Sequence, residues 1–284
     1  MAWISATLVR ELHPAAKIIL VVDECTHESL RVPGNRVAEA ADEVVRVETG
    51  LDDAAARSRF VKTSLRSHIE GDFLFVDVDT APIEPFYELL NLPASLGAVL
   101  EHNRLPADEF MPPGIVPIFE AMDWAVPRHY FNTGVLLMRD TSEVREFGAL
   151  WHRKWQAGFQ HGLGHSDQPS FNSAVFESEI QIEMLPNAYN SMVLLNPQLF
   201  RTSKILHFFE SNAFGGSLLT HLLSHLQTTG ELDRQAIRNC KQQGHPWPPN
   251  CEAWQLWRSR NYLRAIARKC HKALARMSGK ESWA

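Results

Sequence analysis

The spacing of apolar residues divides this chain into alternating helices and strands. Ile4, Leu8, Val9 and Leu12 recur at three- and four-residue steps, which predicts a helix over Trp3 to Leu12, closed by His13-Pro14. The unbroken run Ile18 to Val22, between Lys17 and Asp23, is the pattern of a strand covered on both faces. Val44-Val45-Arg46-Val47 predicts a shorter strand. Asp52 to His68 predicts a helix, with Asp52 and Asp53 well placed at the positive end of its dipole. Phe73-Leu74-Phe75-Val76 then forms a strand that runs straight into Asp77-Val78-Asp79. A short helix around Phe86 to Leu90 and a strand over Gly97 to Leu100 follow. Residues 103–128 contain five prolines and little periodicity, so they read as an irregular, substrate-facing excursion.

Beyond it, Tyr130 to Met138 enters the sheet with Asn132 at its corner, and Gly134 would allow another group to approach the backbone. Phe147 to Phe159 is amphipathic at helical spacing. Ser166 or Asp167 is placed to cap a further helix with Pro169 in its first turn. Ile180 to Leu185 and Ile205 to Phe209 are the last strands, with His207 at the centre of the second. Alternation of this kind implies an α/β domain with a mostly parallel central sheet and helices on both faces. Ligands of such sheets sit beyond the carboxyl ends of the strands.

Length and composition change this picture little. The 284 residues suffice for one large α/β domain with a tail, and an apolar share of 45% is ordinary for a soluble protein. No apolar run reaches the roughly 18 residues that cross a bilayer. The N-terminus lacks the basic-then-apolar pattern of a secretory signal. Cys25, Cys240, Cys251 and Cys270 form no C-x-x-C pair, which points to reduced thiols in a cytoplasmic protein and away from a zinc site.

Charge changes it more. The net charge is −5, but residues 254–284 hold eight Lys/Arg against the single acid Glu281, so the first 253 residues carry −12. In that basic segment Leu263, Ile266, Ala267, Cys270, Leu274 and Met277 recur at helical steps after Trp254 and Trp257. A basic amphipathic helix with aromatic residues at its start suits an anionic membrane interface, where each basic side chain contributes about 1 kcal/mol. A helix packed on the main domain, or a nucleic-acid patch, is the alternative, and no nucleic-acid partner is expected. The chain therefore divides into a main α/β domain over 1–215, a helical extension and Pro-rich linker over 216–253, and the basic helix over 254–284.

The sharpest chemical feature is the pair Asp77 and Asp79. Residues i and i+2 of a strand face the same way, so these carboxylates converge and repel unless a cation lies between them. Carboxylate oxygens suit Mg²⁺ or Mn²⁺, whose open positions can take a substrate's phosphates. An Asp-rich turn that merely ends the strand remains the plainer alternative.

The ordered set of a strand ending in Asp-x-Asp, then Phe131-Asn132-Thr133-Gly134-Val135, Ser166-Asp167-Gln168-Pro169 and Ile205-Leu206-His207-Phe208 resembles the GT-A glycosyltransferases. The likeness is to family 8, the glycogenin and lipopolysaccharide galactosyltransferase type, and it covers residues 1–215. It implies a Rossmann-like nucleotide-diphospho-sugar transferase fold, here lacking the usual first strand. It also implies that Asp77, Asp79 and His207 bind Mn²⁺ or Mg²⁺. Arg59, Lys62, Asp77, Val78, Asp79 and Asn132 would line the donor, while Asp167 and Gln168 would act at the reacting centre. Outside the resemblance, His207 reads first as a satisfied core histidine, and Asp167 as a helix cap and Arg59 and Lys62 as solvated surface charges are the alternatives.

The function so implied is transfer of a sugar, UDP-linked, to a glycan or lipid-linked acceptor, with retention of configuration. Three features depart from the family. Its first, nucleotide-holding strand has no counterpart. His207 is followed by Phe208-Phe209-Glu210-Ser211-Asn212 in place of the Gly-x-x-Lys-Pro-Trp run. No segment carries an acceptor signature. These departures keep open a non-catalytic pseudoenzyme that binds a glycan or partner. A haloacid-dehalogenase-type phosphatase is the other rival, but Ala81 stands where its motif needs Thr or Val, and no Asp-Asp pair follows downstream.

Overall fold

A computed structural model describes residues 1–32, 35–107, 109–209, 217–247, 253–258 and 262–277. In chain order the elements are α1 (Ala2–Leu12), β1 (Ile19–Asp23), α2 (Glu24–Leu30), β2 (Glu43–Val47), α3 (Ala54–His68), β3 (Phe73–Val76), β4 (Thr80–Pro82), α4 (Tyr87–Leu90) and β5 (Leu96–Leu100). They continue with α5 (Val116–Ala121), β6 (Phe131–Met138), α6 (Ser142–Gln160), α7 (Gln168–Ser178), β7 (Ile182–Met184), β8 (Ser191–Met192) and β9 (Ile205–His207). The last are α8 (Leu218–Thr229), α9 (Arg234–Gln243), α10 (Ala253–Arg258) and α11 (Tyr262–Met277). The architecture is α/β, as expected.

The strands form a parallel pair β1-β2, a four-stranded sheet β3-β6-β5-β7 and a three-stranded sheet β4-β9-β8. Pairing is mixed and not mostly parallel: β3–β6, β5–β6 and β4–β9 are antiparallel, and β1–β2, β5–β7 and β8–β9 are parallel. An apolar run reports burial, which a central strand of either direction shares, so direction was not readable from it. The runs in β1 and β3 are also only half-buried over most of their length. Among the described residues β1 pairs with β2 alone and β3 with β6 alone, so each keeps one open edge.

Helices cover both faces of the four-stranded sheet. Phe73 and Phe75 face one side with Leu136 and Met138, against Phe147 and Trp151 of α6 and Phe171 of α7. Leu74 and Val76 face the other, with Val99, Val135, Leu89 of α4 and Ile205 of β9. This is the two-residue alternation of a strand. A further cluster joins Ile4 and Leu8 of α1 to Leu206, Phe208, Leu222, Cys240 and Trp247, and Leu256 of α10 and Ala265 of α11 reach into it.

Two sequence expectations fail here. The excursion over 103–128 contains α5, whose proline lies in its first turn. There a missing N–H costs nothing, because the first turn has no intrahelical acceptor for it. The single basic helix is in fact two, α10 and α11. Leu263 and Ile266 of the expected stripe are exposed, at 84% and 51%, while Ala265 is the side chain that packs inward. The stretches 210–216 and 278–284, Cys251, and the side chains of Leu274 and Met277 lie outside the described residues.

Candidate active site

The site begins where β3 ends. Asp77 continues the ladder through one bond, its N–H donating to Gly134 O at 2.8 Å. The chain then turns: Thr80 N–H donates to Asp77 O at 3.0 Å and Thr80 Oγ1 to the same oxygen at 2.7 Å. Asp77 and Asp79 are therefore brought together by a turn and not by a shared strand face, which corrects the sequence expectation. The turn feeds β4, where Thr80 stands opposite His207 of β9. Phe208 N–H donates to Asp79 O at 3.0 Å and locks the two segments. His207 sits at the end of its strand and not at the centre.

One ligand atom from each of Asp77, Asp79 and His207 lies within 4.8 Å of the other two. His207 Nε2 is 3.4 Å from Asp79 Oδ1. Among the described residues, Asp79 Oδ1 and His207 Nδ1 are buried without a hydrogen-bond partner. Gly134 makes room for the imidazole, since a Cβ there would lie 2.5 Å from His207 Cε1. Burial works to raise the Asp79 pKa, but the His207 imidazole and, beyond it, Lys62 outweigh it and hold the carboxyl below its ordinary range. Two carboxylate oxygens and an imidazole nitrogen suit a divalent cation such as Mn²⁺ or Mg²⁺. A cation here would meet His207 through Nε2, the ring nitrogen that faces Asp79, and would give Asp79 Oδ1 the partner it lacks.

A second group adjoins this corner. Arg59 and Lys62 lie three residues apart on α3 and so share a face. Lys62 Nζ donates to Asp77 Oδ2 at 2.8 Å and lies 3.2 Å from Asp167 Oδ2. Arg59 Nε lies 3.1 Å from Asp167 Oδ1, and Thr133 Oγ1 donates to Asp167 Oδ2 at 2.7 Å. Lys62 is thus a buried cation and not a solvated one. Asp167 occupies the cap position of α7, yet its side chain caps nothing and turns to this cluster. Burial works to raise the Asp167 pKa, but Lys62, Arg59 and Thr133 hold it below the ordinary carboxylate range. Burial works to lower the pKa of Lys62, but Asp167 and Asp77 outweigh it and raise it.

Asn132, expected at a corner, lies inside β6 beside a register shift. Its Nδ2 donates to Glu101 Oε2 at 3.0 Å and to Gln168 Oε1 at 3.2 Å, and its Oδ1 accepts from Gly134 N at 2.8 Å and Asn190 Nδ2 at 2.7 Å. Gln168 Nε2 donates to Glu101 Oε2 as well. Asn190 Oδ1 is a further buried atom without a hydrogen-bond partner among the described residues. Burial pushes the Tyr130 phenol far up, with Glu101 and Asp167 adding to it. Val78, between the two acids, is 54% exposed.

The structure thus gathers Arg59, Lys62, Asp77, Asp79, Asn132, Asp167, Gln168 and His207 into one connected region. Glu101, Thr133 and Asn190 belong to it and escaped the sequence reading. For Glu101 a signal existed: it is the acid directly after a buried strand, where ligands of α/β sheets collect.

No family model matches the chain, and no curated protein matches it. Among solved structures it is similar to the crystal structure of mouse xyloside xylosyltransferase 1 in its apo form, with a TM-score of 0.47 and 12% identity over 74% of this chain and 91% of that one.

Proposed function

We propose that this chain is a metal-dependent glycosyltransferase of the GT-A type that moves a sugar from a nucleotide-diphosphate donor, UDP-linked, to a glycan or lipid-linked acceptor with retention. The observation that carries this reading is the corner of Asp77, Asp79 and His207, where one possible ligand atom of each lies within 4.8 Å of the other two and Asp79 Oδ1 is buried without a hydrogen-bond partner. Those three residues would hold Mn²⁺ or Mg²⁺, which when bound supplies positive charge to offset the diphosphate and the leaving group. The chain's own residues do the rest. The pair Lys62 and Arg59 keeps Asp167 ionised beside the site, where its charge would favour an oxocarbenium-like sugar. The half-buried Gln168 amide, held in place by Asn132 and Glu101, would meet sugar hydroxyls, and holding both substrates makes the attack effectively unimolecular.

The acceptor reading draws on the C-terminal helices. Trp254, Trp257, Tyr262, Leu263 and Ile266 are exposed on consecutive helices of a strongly basic segment, as an anionic lipid surface would require. No described helix is long and apolar enough to cross a membrane.

Calorimetric titration with nucleotide-diphosphate sugars, UDP-linked first, with and without Mn²⁺, tests the proposal. Metal-dependent binding of one donor is the expected result. Absence of binding to every donor by the folded protein would sink it in favour of a non-catalytic relative. Co-sedimentation with vesicles of anionic lipid, absent with neutral lipid, tests the membrane partner.

A further inference from the structure

The carboxylates of the site differ in what holds them. Asp77 and Asp167 share Lys62, and Asp79 has His207. Glu101 is buried like Asp167, but its Oε2 accepts from two neutral amides, Asn132 Nδ2 at 3.0 Å and Gln168 Nε2, while its Oε1 accepts from His102 N at 3.0 Å. The His102 ring stands off at 3.7 Å.

An amide is nearly symmetric in shape, so its surroundings decide which end is nitrogen. A carboxylate only accepts. It therefore forces the nitrogen ends of both amides toward itself and fixes where their oxygens go. Asn132 Oδ1 is left to Gly134 N and Asn190 Nδ2, and Gln168 Oε1 to the second N–H of Asn132.

The backbone beneath Glu101 is unusual. His102 and Asn103 both have positive φ, 55° and 52°, in the left-handed region, which few non-glycine residues enter although His and Asn do so more readily than most. Two such residues in succession persist only where the surroundings over-determine them, and such strain collects at functional sites. Here Asn196 Nδ2 donates to His102 O at 2.9 Å and Asn187 Nδ2 to Asn103 O at 2.8 Å. Asn103 in turn donates to Asn190 O at 2.8 Å and accepts from Met192 N at 2.7 Å. Across the sheet, Ala98 pairs with Leu136 but Val99 with Asn132, an irregularity of the kind that re-aims side chains. Turn and bulge together bring Glu101 and Asn132 face to face.

We propose that Glu101 is a positioning residue for the transfer reaction, held on a strained turn so that its carboxylate sets the orientation of the Asn132 and Gln168 amides. The role rests on the glycosyltransferase reading, but its test can fail separately. In ¹⁵N-labelled protein without any ligand, the side-chain amide protons of Asn132 and Gln168 should exchange slowly and resonate away from free-amide positions. Glu101→Gln, which adds a donor where only acceptors stood, should move both signals. With the donor that the titration identifies, Glu101→Gln should lose roughly 10²-fold in kcat. Its donor KM should stay within about threefold, because binding groups remain while their alignment is lost. Free-amide signals in the unaltered protein would overturn the proposal, and so would unchanged kcat in a folded Glu101→Gln. A higher KM at constant kcat would overturn it too, since Glu101 would then bind the donor itself. If no donor turns over at all, the functional reading fails, and the amide signals still decide whether Glu101 orients its neighbours.

Discussion

On the α3 side of the site, Lys62, Arg59, Thr133, Asp77 and Asp167 close on one another through contacts of 2.7 to 3.2 Å. On the β9 side, Asp79 Oδ1 and His207 Nδ1 are buried without a hydrogen-bond partner among the described residues. Both sides hold titratable groups at least partly shielded from water, but the first sets two cations against two carboxylates, while the second sets one carboxylate against an imidazole. A buried polar atom without a hydrogen-bond partner costs folding free energy, and a cation beside Asp79 Oδ1 would supply that partner. On the proposed reading Asp77 joins the two, with its Oδ2 on Lys62 and a place in the cation corner; the rest of the first side serves stability and the rest of the second the cation, and substitutions should separate them.

The largest effect should come from Asp79→Asn. It keeps the shape and removes the charge, so metal-dependent donor turnover should fall to background, with the thermal midpoint moved by only a few degrees. Full activity would refute the role of this corner. Lys62→Met should do the opposite in kind. It strands Asp77 and Asp167 without their shared cation, and breaking a buried pair in this way costs about 3–5 kcal/mol. A chemical denaturation curve close to that of the unaltered protein would mean that the charges find other partners, and the contrast would blur. Gly134→Ala tests the seam between the two sides. Its methyl would meet His207 Cε1 at 2.5 Å and Asn132 Oδ1 at 2.9 Å, so overpacking of about 1–3 kcal/mol is expected. Mn²⁺ affinity, followed by calorimetry, should weaken with it.

How much of this was legible in the sequence depended on whether a feature is local. The helix over Ala54–His68 and the strand over Phe73–Val76 follow from short-range periodicity and stand as expected. Asp77, Asp79 and His207 were readable as candidates, but the reason they meet was not. That reason is the pairing of β4 with β9 across nearly half of the chain, preceded by a turn that removes Asp79 from its strand. Strand direction was unreadable because burial looks the same either way. Glu101 falls between the strand read over Gly97–Leu100 and the excursion that begins at 103, so neither reading claimed it, although the acid at the end of Leu96–Leu100 was the cue. For the C-terminal stripe the sequence favoured a membrane interface and left packing on the main domain open, because an amphipathic stripe shows that a face is apolar, not what covers it; Leu263 and Ile266 are exposed.

The smallest effect should come from His152, which extends the balanced side along α6. Its Nδ1 lies 2.8 Å from Thr63 Oγ1, next in sequence to Lys62, and its ring meets Phe60 edge-on. Burial, with His68 adding to it, pushes the His152 pKa down to about 4. In the unfolded chain the same group titrates near the ordinary histidine value of about 6.5. Between those values the unfolded state binds the extra proton, so stability must fall as pH drops through that window. Above about pH 6.5 the contribution is fully present, and below about pH 4 no more is lost. Because the ring is partly open to solvent, the full shift overstates the energy, and about 1–2 kcal/mol is the expected range. His152→Gln removes the titration while keeping a polar partner for Thr63. The difference in thermal midpoint between it and the unaltered protein should therefore change across pH 6.5 to 4 and stay constant on either side. A difference that is flat throughout would mean that the pocket admits the imidazolium, and the side anchored by Lys62 would then be less closed than its contacts indicate.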